Sequence, residues 1–354
     1  MPSWWDRFGE EWARQGLTDD PTFAQSDAGW AFIGQAPPTV EQFNTMFQWS
    51  DDKDNWLYGQ IANCIIGSGV EPASNDLMQL WNAIKSLQRR KLEVDTAFYV
   101  DAINGNDATG SGEVDNPWKT INAAINYIYT YVDIAGRNCI IQLAPGTYPP
   151  AYHWQTINGN LIIQGDPLNP RAYIIKGVNQ WAVAVVAAAV LYIQGVSFEA
   201  TGPATPQPYQ PYGVGLFLDR AGLVLYDALA FGPCSSHHIQ VGTMGYLHPW
   251  RGEATTYSIY GGAGAHHVAA VYTGVVTMVR VKVTITGNPA FPGGYYLATN
   301  NAQLNVYEMT YTGTATGPRY FVNLGGMLFS SGQLSIIPGN AAGVVDSASF
   351  GFVN

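Results

Sequence analysis

After Cys139 the chain is a succession of short apolar runs: "CIIQLAPGTY" (139–148), "NLIIQGD" (160–166), "VLYIQGVSFEA" (190–200), "LVLYDALAF" (223–231), "VVTMVRVKVTITG" (275–287), "AQLNVYEMTYTG" (302–313) and "QLSIIPG" (333–339). Each is bounded by glycine, asparagine or proline, which reads as strands between tight turns rather than helices. "IIQG" at Ile162 returns as "YIQG" at Tyr192, thirty residues on, and "ITG" at Ile285 precedes "YTG" at Tyr311 by twenty-six. Such intervals match one coil of a solenoid, in which each turn buries its inward side chains against the next. The expectation is a mainly β chain folded as a parallel β-helix with about 24–32 residues per circuit. A β-sandwich is the competing architecture and predicts more equal connections with alternating sheet partners.

Composition agrees with short strands and tight turns: Gly 39, Tyr 21 and Trp 11 stand against only 26 acids and 16 bases. The formal charge of -10 sits wholly in the first half, where residues 1–159 carry 19 acids and 9 bases while residues 160–354 carry 7 of each. No basic patch is offered to phosphates, so nucleic acid is not expected as a partner. A neutral surface rich in tyrosine, asparagine, threonine and glycine suits an uncharged or glycan-like partner better. Cys64, Cys139 and Cys234 are far apart and make no metal-ligand spacing, so no metal is expected. The longest apolar run, Trp181–Tyr192, is too short to cross a bilayer, and "MPSWWDRFGEEW" has acids where a signal peptide would carry bases. Neither membrane insertion nor the general secretory route is expected.

Positions 1–70 read as a small helical region. Trp4, Trp5, Phe8 and Trp12 recur at helix-like spacing, and Trp30 opens the next segment. Aromatic residues so concentrated pack either into a local core or against another protein. Thr39 and Gln42 form a capping box ahead of Phe43, Met46 and Phe47. Residues 71–96 hold an amphipathic helix with Leu77, Leu80, Trp81, Ile84 and Leu87 on one face, which needs a partner, either a second and third chain or the preceding helical unit. Residues 97–138 hold an entry strand, Phe98–Val100, a polar loop and a helix that starts near Pro117 and buries Ile121, Ala124, Ile125 and Ile128. Asn106 and Asp107 satisfy backbone groups of that loop, and with Asp101 they offer an alternative as calcium ligands; no other cofactor is expected. Residues 139–354 are the β-helix.

Two sets of residues could carry chemistry. Glu199, Asp227 and Glu253 follow one another at intervals near one circuit each, so two of them could flank a glycan on adjacent coils. Isolated surface acids are the alternative reading of the same spacing. The pair His237 and His238 recurs as His266 and His267, and the same interval leads on to Tyr295 and Tyr296. One member of each pair is expected on an outer stripe, where flat rings contact a sugar face or pack across a subunit boundary. No nucleophile elbow, phosphate loop, dinucleotide fingerprint or EF-hand occurs.

The stretch "YVDAINGND…GSG…NPWKTINAAINYI…NCIIQLAPGTY" resembles the N-terminal cap and first coil of right-handed, single-stranded parallel β-helix proteins of the pectin-lyase-like superfamily. In that resemblance Lys119–Ile128 is the cap helix and Pro145, Gly146 and Tyr148 make the turn after the first strand. "GWAFIGQAPPTVEQFNTMFQWSDDKDNWLYGQ" resembles the attachment segment of tail-fibre and tailspike proteins of tailed bacteriophages. Thr310–Gly343, through Gly313, Gly317, Arg319, Tyr320, Pro338, Gly339 and Gly343, is similar to the C-terminal pattern of phage tail-fibre β-helices. The resemblance implies a homotrimeric component of the virion tail, attached to a baseplate or tail protein through Trp4, Trp5, Phe8, Trp12, Trp30, Phe43 and Phe47. It implies trimer contacts at Leu77, Leu80, Trp81, Ile84 and Leu87, and contact with bacterial surface polysaccharide. The expected function is a noncatalytic tail fibre or tailspike. The alternatives are a capsule or lipopolysaccharide depolymerase using Glu199, Asp227 or Glu253, and a purely structural baseplate or neck component.

Overall fold

The computed structural model describes residues 39–67, 89–202, 212–250 and 255–354. The chain divides into two units, Met1–Arg89 and Arg90–Asn354. In the first, the helix Val40–Gly67 (α1) opens with the capping box: Gln42 N donates to Thr39 Oγ1 at 3.2 Å and Thr39 N to Gln42 Oε1 at 3.1 Å. Phe43 and Phe47, one turn apart, place their rings 6.4 Å from each other and are 41% and 43% exposed.

The second unit is mainly β. Among the described residues its strands form parallel sheets of ten, seven and eight strands, plus the two-stranded pair Arg90–Lys91 with Val132–Asp133. From Asn138 on the chain visits the three large sheets in rotation. Asn138–Leu143 belongs to the first, Gly146–Tyr148 to the second and Ala151–His153 to the third, and Asn160–Gln164 returns to the first. The last visit to the second sheet is Thr310–Thr312; in the final circuit a 3₁₀ turn, Leu334–Ile336, stands between Met327–Phe329 and Val344–Val345.

Alternation is clearest in the first complete circuit. Asn138–Leu143 buries Cys139, Ile141 and Leu143 and leaves Asn138, Ile140 and Gln142 half-buried outside. The inward residues stack into columns. Cys139, Leu161, Leu191, Val224, Leu247, Val276, Leu304 and Leu328 follow one another through successive strands of the first sheet, none of them exposed. Burying each of the larger members stabilises by about 2 kcal/mol, so the column holds the stack together while connections vary. The step from Cys139 to Leu161 is shorter, and that from Leu191 to Val224 longer, than the range the sequence repeats imply.

One turn recurs without a sequence signature. Where the chain passes from the third sheet back to the first, consecutive residues adopt left-handed backbone: Ala187–Ala188, Arg220–Ala221, Tyr272–Thr273, Asn300–Asn301 and Leu324–Gly325. Non-glycine residues there cost energy, and hydrogen bonds between stacked turns offset it. Ala188 N donates to Arg220 O at 2.9 Å, Thr273 N to Asn300 O at 3.1 Å and Asn301 N to Leu324 O at 3.0 Å.

The first strand of the large sheets, Thr96–Val100, pairs with Asn138–Leu143, and a helix of three turns, Ile121–Tyr131 (α2), packs against it. α2 buries Ile121, Ala124, Ile125 and Ile128, the face read from the sequence, but it begins one turn later than Pro117. Trp118 is held in backbone pairing with Val100, and Asp107 organises the start instead. Its Oδ1 accepts from Lys119 N at 2.7 Å and Thr120 N at 2.9 Å, its Oδ2 accepts from Thr120 Oγ1 at 2.8 Å, and Thr120 Oγ1 in turn caps Ala123 N at 3.2 Å. Asn106 Oδ1 accepts from Ala108 N at 2.9 Å and Asp101 Oδ1 from Ile103 N at 2.8 Å. The three side chains offered as calcium ligands thus serve as backbone acceptors, and no metal-holding group of His, Cys, Asp or Glu occurs among the described residues.

The second repeat is placed differently from its sequence spacing. Tyr311 pairs with Val283, not Ile285, so the "YTG" and "ITG" segments are out of step. A Cβ on Gly313 would clash with the Ile285 carbonyl, which is why this position is glycine. "IIQG" and "YIQG" do pair residue for residue, and Gln194 Nε2 donates to Gln164 Oε1 at 2.8 Å.

Candidate functional site

His237–Val241, His266–Ala270 and Gly294–Ala298 are neighbouring strands of the third sheet. His237 pairs with His266, as the spacing predicts, but the next step is one position shorter: His266 pairs with Gly294 and Val268 with Tyr296. Tyr295 therefore follows His267, and the ladder reads His238, His267, Tyr295, with ring centroids 5.1 and 4.7 Å apart. It faces inward. His238 and His267 are fully buried against Phe231 and Phe291, Tyr295 against Phe291, and Tyr296 against Tyr295, so these four do not form the outer stripe expected of glycan contacts. The reason is the apolar jacket: two imidazoles that bond each other need no water, and aromatic residues fill the space around them. His237 and His266 point the other way, half-buried, their rings stacked at 5.2 Å.

The buried pair has one consistent protonation pattern. Burial pushes His238 down to about 4 and His267 well below its ordinary value, so both rings are neutral at pH 7. The Gly262 carbonyl only accepts, so His238 Nε2, 3.2 Å away, donates to it. His238 Nδ1 then accepts from His267 Nδ1 at 2.9 Å, and His267 Nε2 accepts from the Tyr257 hydroxyl at 3.1 Å. Protonating His238 at Nδ1 sets two N–H groups against each other and breaks this chain.

The carboxylates separate. Glu199 lies in Ser197–Thr201 of the second sheet, whereas Asp227 ends Leu223–Asp227 of the first, beside Gln194. They do not share a row, and the expected pairing on adjacent coils is not made; Glu253 lies outside the described residues. Asp227 is 7% exposed and accepts from Thr256 N at 3.4 Å.

Glu199 is the centre of a polar cluster on the outer face of the second sheet. Its Oε2 lies 3.0 Å from Lys176 Nζ on the neighbouring strand, and its Oε1 accepts from the Tyr260 hydroxyl at 3.2 Å. With that proton committed, Ser197 Oγ donates to Tyr260 Oη at 2.7 Å. Burial, with the Glu199 charge adding to it, pushes the Tyr260 phenol up to about 12. Arg171 arrives from the 3₁₀ turn Pro170–Ala172, lays its guanidinium 4.4 Å from the Tyr260 ring centroid and donates to Thr286 Oγ1 at 3.2 Å. This cluster joins residues 115 positions apart. Sequence reasoning missed both Arg171 and Tyr260, since no local spacing links them.

Of the attachment residues expected, Phe43 and Phe47 are the exposed pair on α1, while Trp4, Trp5, Phe8, Trp12 and Trp30 lie outside the described residues, as do Leu77, Leu80, Trp81, Ile84 and Leu87. No described helix is long and apolar enough to cross a membrane.

No family model matches the chain, and no curated protein matches it. Among solved structures it is similar to the GH136 lacto-N-biosidase from Eubacterium ramulus. The native crystal structure gives a TM-score of 0.25 at 10% identity, covering 95% of this chain and 82% of that one. The selenomethionine derivative gives 0.26 at 10% identity, covering 93% and 80%. Likeness at that level says nothing about what this chain does.

Proposed function

We propose that the chain is a noncatalytic, homotrimeric tail fibre or tailspike of a tailed bacteriophage, whose strands from Thr96 on wind as a right-handed parallel β-helix and contact polysaccharide on the host surface. The cap motif and the attachment-like segment around Thr39–Gln60 are the sequence features behind the phage assignment. The observation that carries the noncatalytic part is the state of Glu199. Its carboxylate is bound to Lys176 and Tyr260, and Asp227, the other described candidate, belongs to a different sheet. Glycoside hydrolysis by paired carboxylates needs two of them facing one groove. The test is adsorption: host cells incubated with the purified protein adsorb fewer phage particles, and gold-labelled antibody against it decorates the particle tail. Unlabelled tails overturn the reading.

A second reading rests on the same cluster. A carboxylate touching a phenol and an ammonium, with a guanidinium over the phenol, offers acid, base and charge-neutralising groups within one outer patch. In that case the protein is a polysaccharide depolymerase, and Glu199→Gln abolishes release of reducing or unsaturated ends from host polysaccharide. No release by the unaltered protein rejects it.

A further inference from the structure

Three aromatic rings tile the outer face of the third sheet in the circuits nearest α2. Tyr152, Ala184 and Phe217 share one outward row, and Trp181, just ahead of Val183–Val186, stands between the two rings. Tyr152 and Trp181 have centroids 6.2 Å apart at 39°, and Trp181 and Phe217 are 6.0 Å apart at 26°. Separations and angles of this size are those of a tilted pair and an offset-stacked pair, so the three rings follow one another along the sheet as a ribbon. Tyr152 is 39% exposed, Trp181 and Phe217 are half-buried, and Ala184 is fully buried although it stands outside the core. Beyond Phe217 the row continues as Gln240, Ala269, Leu297, Phe321 and Val344, without one charged side chain.

We infer that this ribbon binds the apolar face of a neutral saccharide chain, a deepening of the host-surface reading on which it rests. Ring faces are electron-rich and attract the C–H groups of a pyranose. The ring-to-ring distances of 6.2 and 6.0 Å repeat on nearly the scale of successive sugars. The Tyr152 hydroxyl and the Trp181 indole N–H have no hydrogen-bond partner among the described residues, so burial under an apolar protein surface would cost them their water. Sugar hydroxyls at the ring edges replace it. A charged polymer gains nothing along a row that carries no charge.

The test is isothermal titration of the whole protein with maltohexaose and cellohexaose as neutral probes and polygalacturonate as the charged one, repeated with Trp181→Ala, Tyr152→Ala and, as a surface control, Leu168→Ala, whose side chain is 95% exposed. Binding of a neutral hexasaccharide that weakens at least tenfold in Trp181→Ala and in Tyr152→Ala, with Leu168→Ala unchanged, is the expected result. Tyr152→Ala guards against misfolding of the Trp181 variant, because its side chain is already exposed. Three outcomes overturn the inference: neither neutral probe binds; both variants bind like the unaltered protein; or sedimentation shows self-association that Trp181→Ala abolishes, which assigns the ribbon to a second copy. A fourth outcome separates the two readings: if Trp181→Ala and Tyr152→Ala still block phage adsorption fully, the ribbon fails while the host-surface reading stands.

Discussion

Acid should unfold the β unit over a pH window set by its buried histidines. A histidine in the unfolded chain titrates near 6.5, and His238 in the folded chain only at about 4, so as pH falls through that window the unfolded state binds protons that the folded state refuses. Stability is fully present above about 6.5 and falls as pH approaches the folded value. At pH 5 the difference amounts to about 2 kcal/mol for His238 alone. His267 acts in the same direction, and His153 at about 4, His237 at about 3 and His266 at about 4 add to it. Against the roughly 5–15 kcal/mol that holds a typical protein folded, this sum is decisive. Asp95 and Asp101, both lowered, chiefly by backbone hydrogen bonds from Asn138 and Asn104, lose their contribution only below the ordinary carboxylate range, so the window from 6.5 to 4.5 reports histidines. The assay is the urea midpoint between pH 7.5 and 4.5, for the natural chain and for the double variant His238→Phe, His267→Phe. The natural chain should lose stability steeply below pH 6.5, and the double variant should lose visibly less. Equal slopes would refute the assignment of the neutral, hydrogen-bonded pair.

Other perturbations test the cap, the turns and the core. Asp107→Ala removes three acceptor contacts at the start of α2 and should cost about 2–3 kcal/mol in chemical denaturation, well above a typical exposed substitution. Gly317→Ala, at φ +110 and with its new Cβ driven into the Phe291 carbonyl, should cost more than about 2 kcal/mol or abolish soluble expression. Ala188→Gly, at φ 59, should leave the melting temperature unchanged or raise it, since the left-handed backbone there gains nothing from a Cβ; a marked fall would show that the stacked turn depends on the methyl group. Cys139 and Cys234, whose thiols burial pushes up to about 12, should resist iodoacetamide at pH 8 until denaturant is added, as read by peptide mass.

Much of the fold was legible because a stack of parallel strands repeats whatever its inward column requires. The column through Leu161 and Leu191 and the apolar face of α2 were visible as spacing, since a buried row tolerates only apolar residues of similar size. Register was less legible. The circuit between the His266 and Gly294 strands is one position shorter than the one before it, and this moves Tyr295, not Tyr296, into the His267 column. The recurring left-handed turn was invisible because Ala187, Arg220 and Tyr272 occupy positions where glycine is the usual marker.

The site was less legible still, for a reason tied to the architecture. In such a stack, sequence period specifies which residues share a column but not whether the column faces in or out; that is decided by neighbours whose positions are set by other circuits. His238 and His267 could line an outer stripe only if polar partners stood outside. Instead Tyr257 and the Gly262 carbonyl supply donor and acceptor from within, and Phe231 and Phe291 close the space around them. The same logic works in reverse on the surface. Tyr260 and Trp181 meet Glu199 and Phe217 from different circuits, so chemistry on the outer face is assembled by stacking rather than by any local motif. Sliding one strand by a single residue would turn its inward column outward as well as dissolve both outer clusters, so the core fixes the register on which the outer face depends.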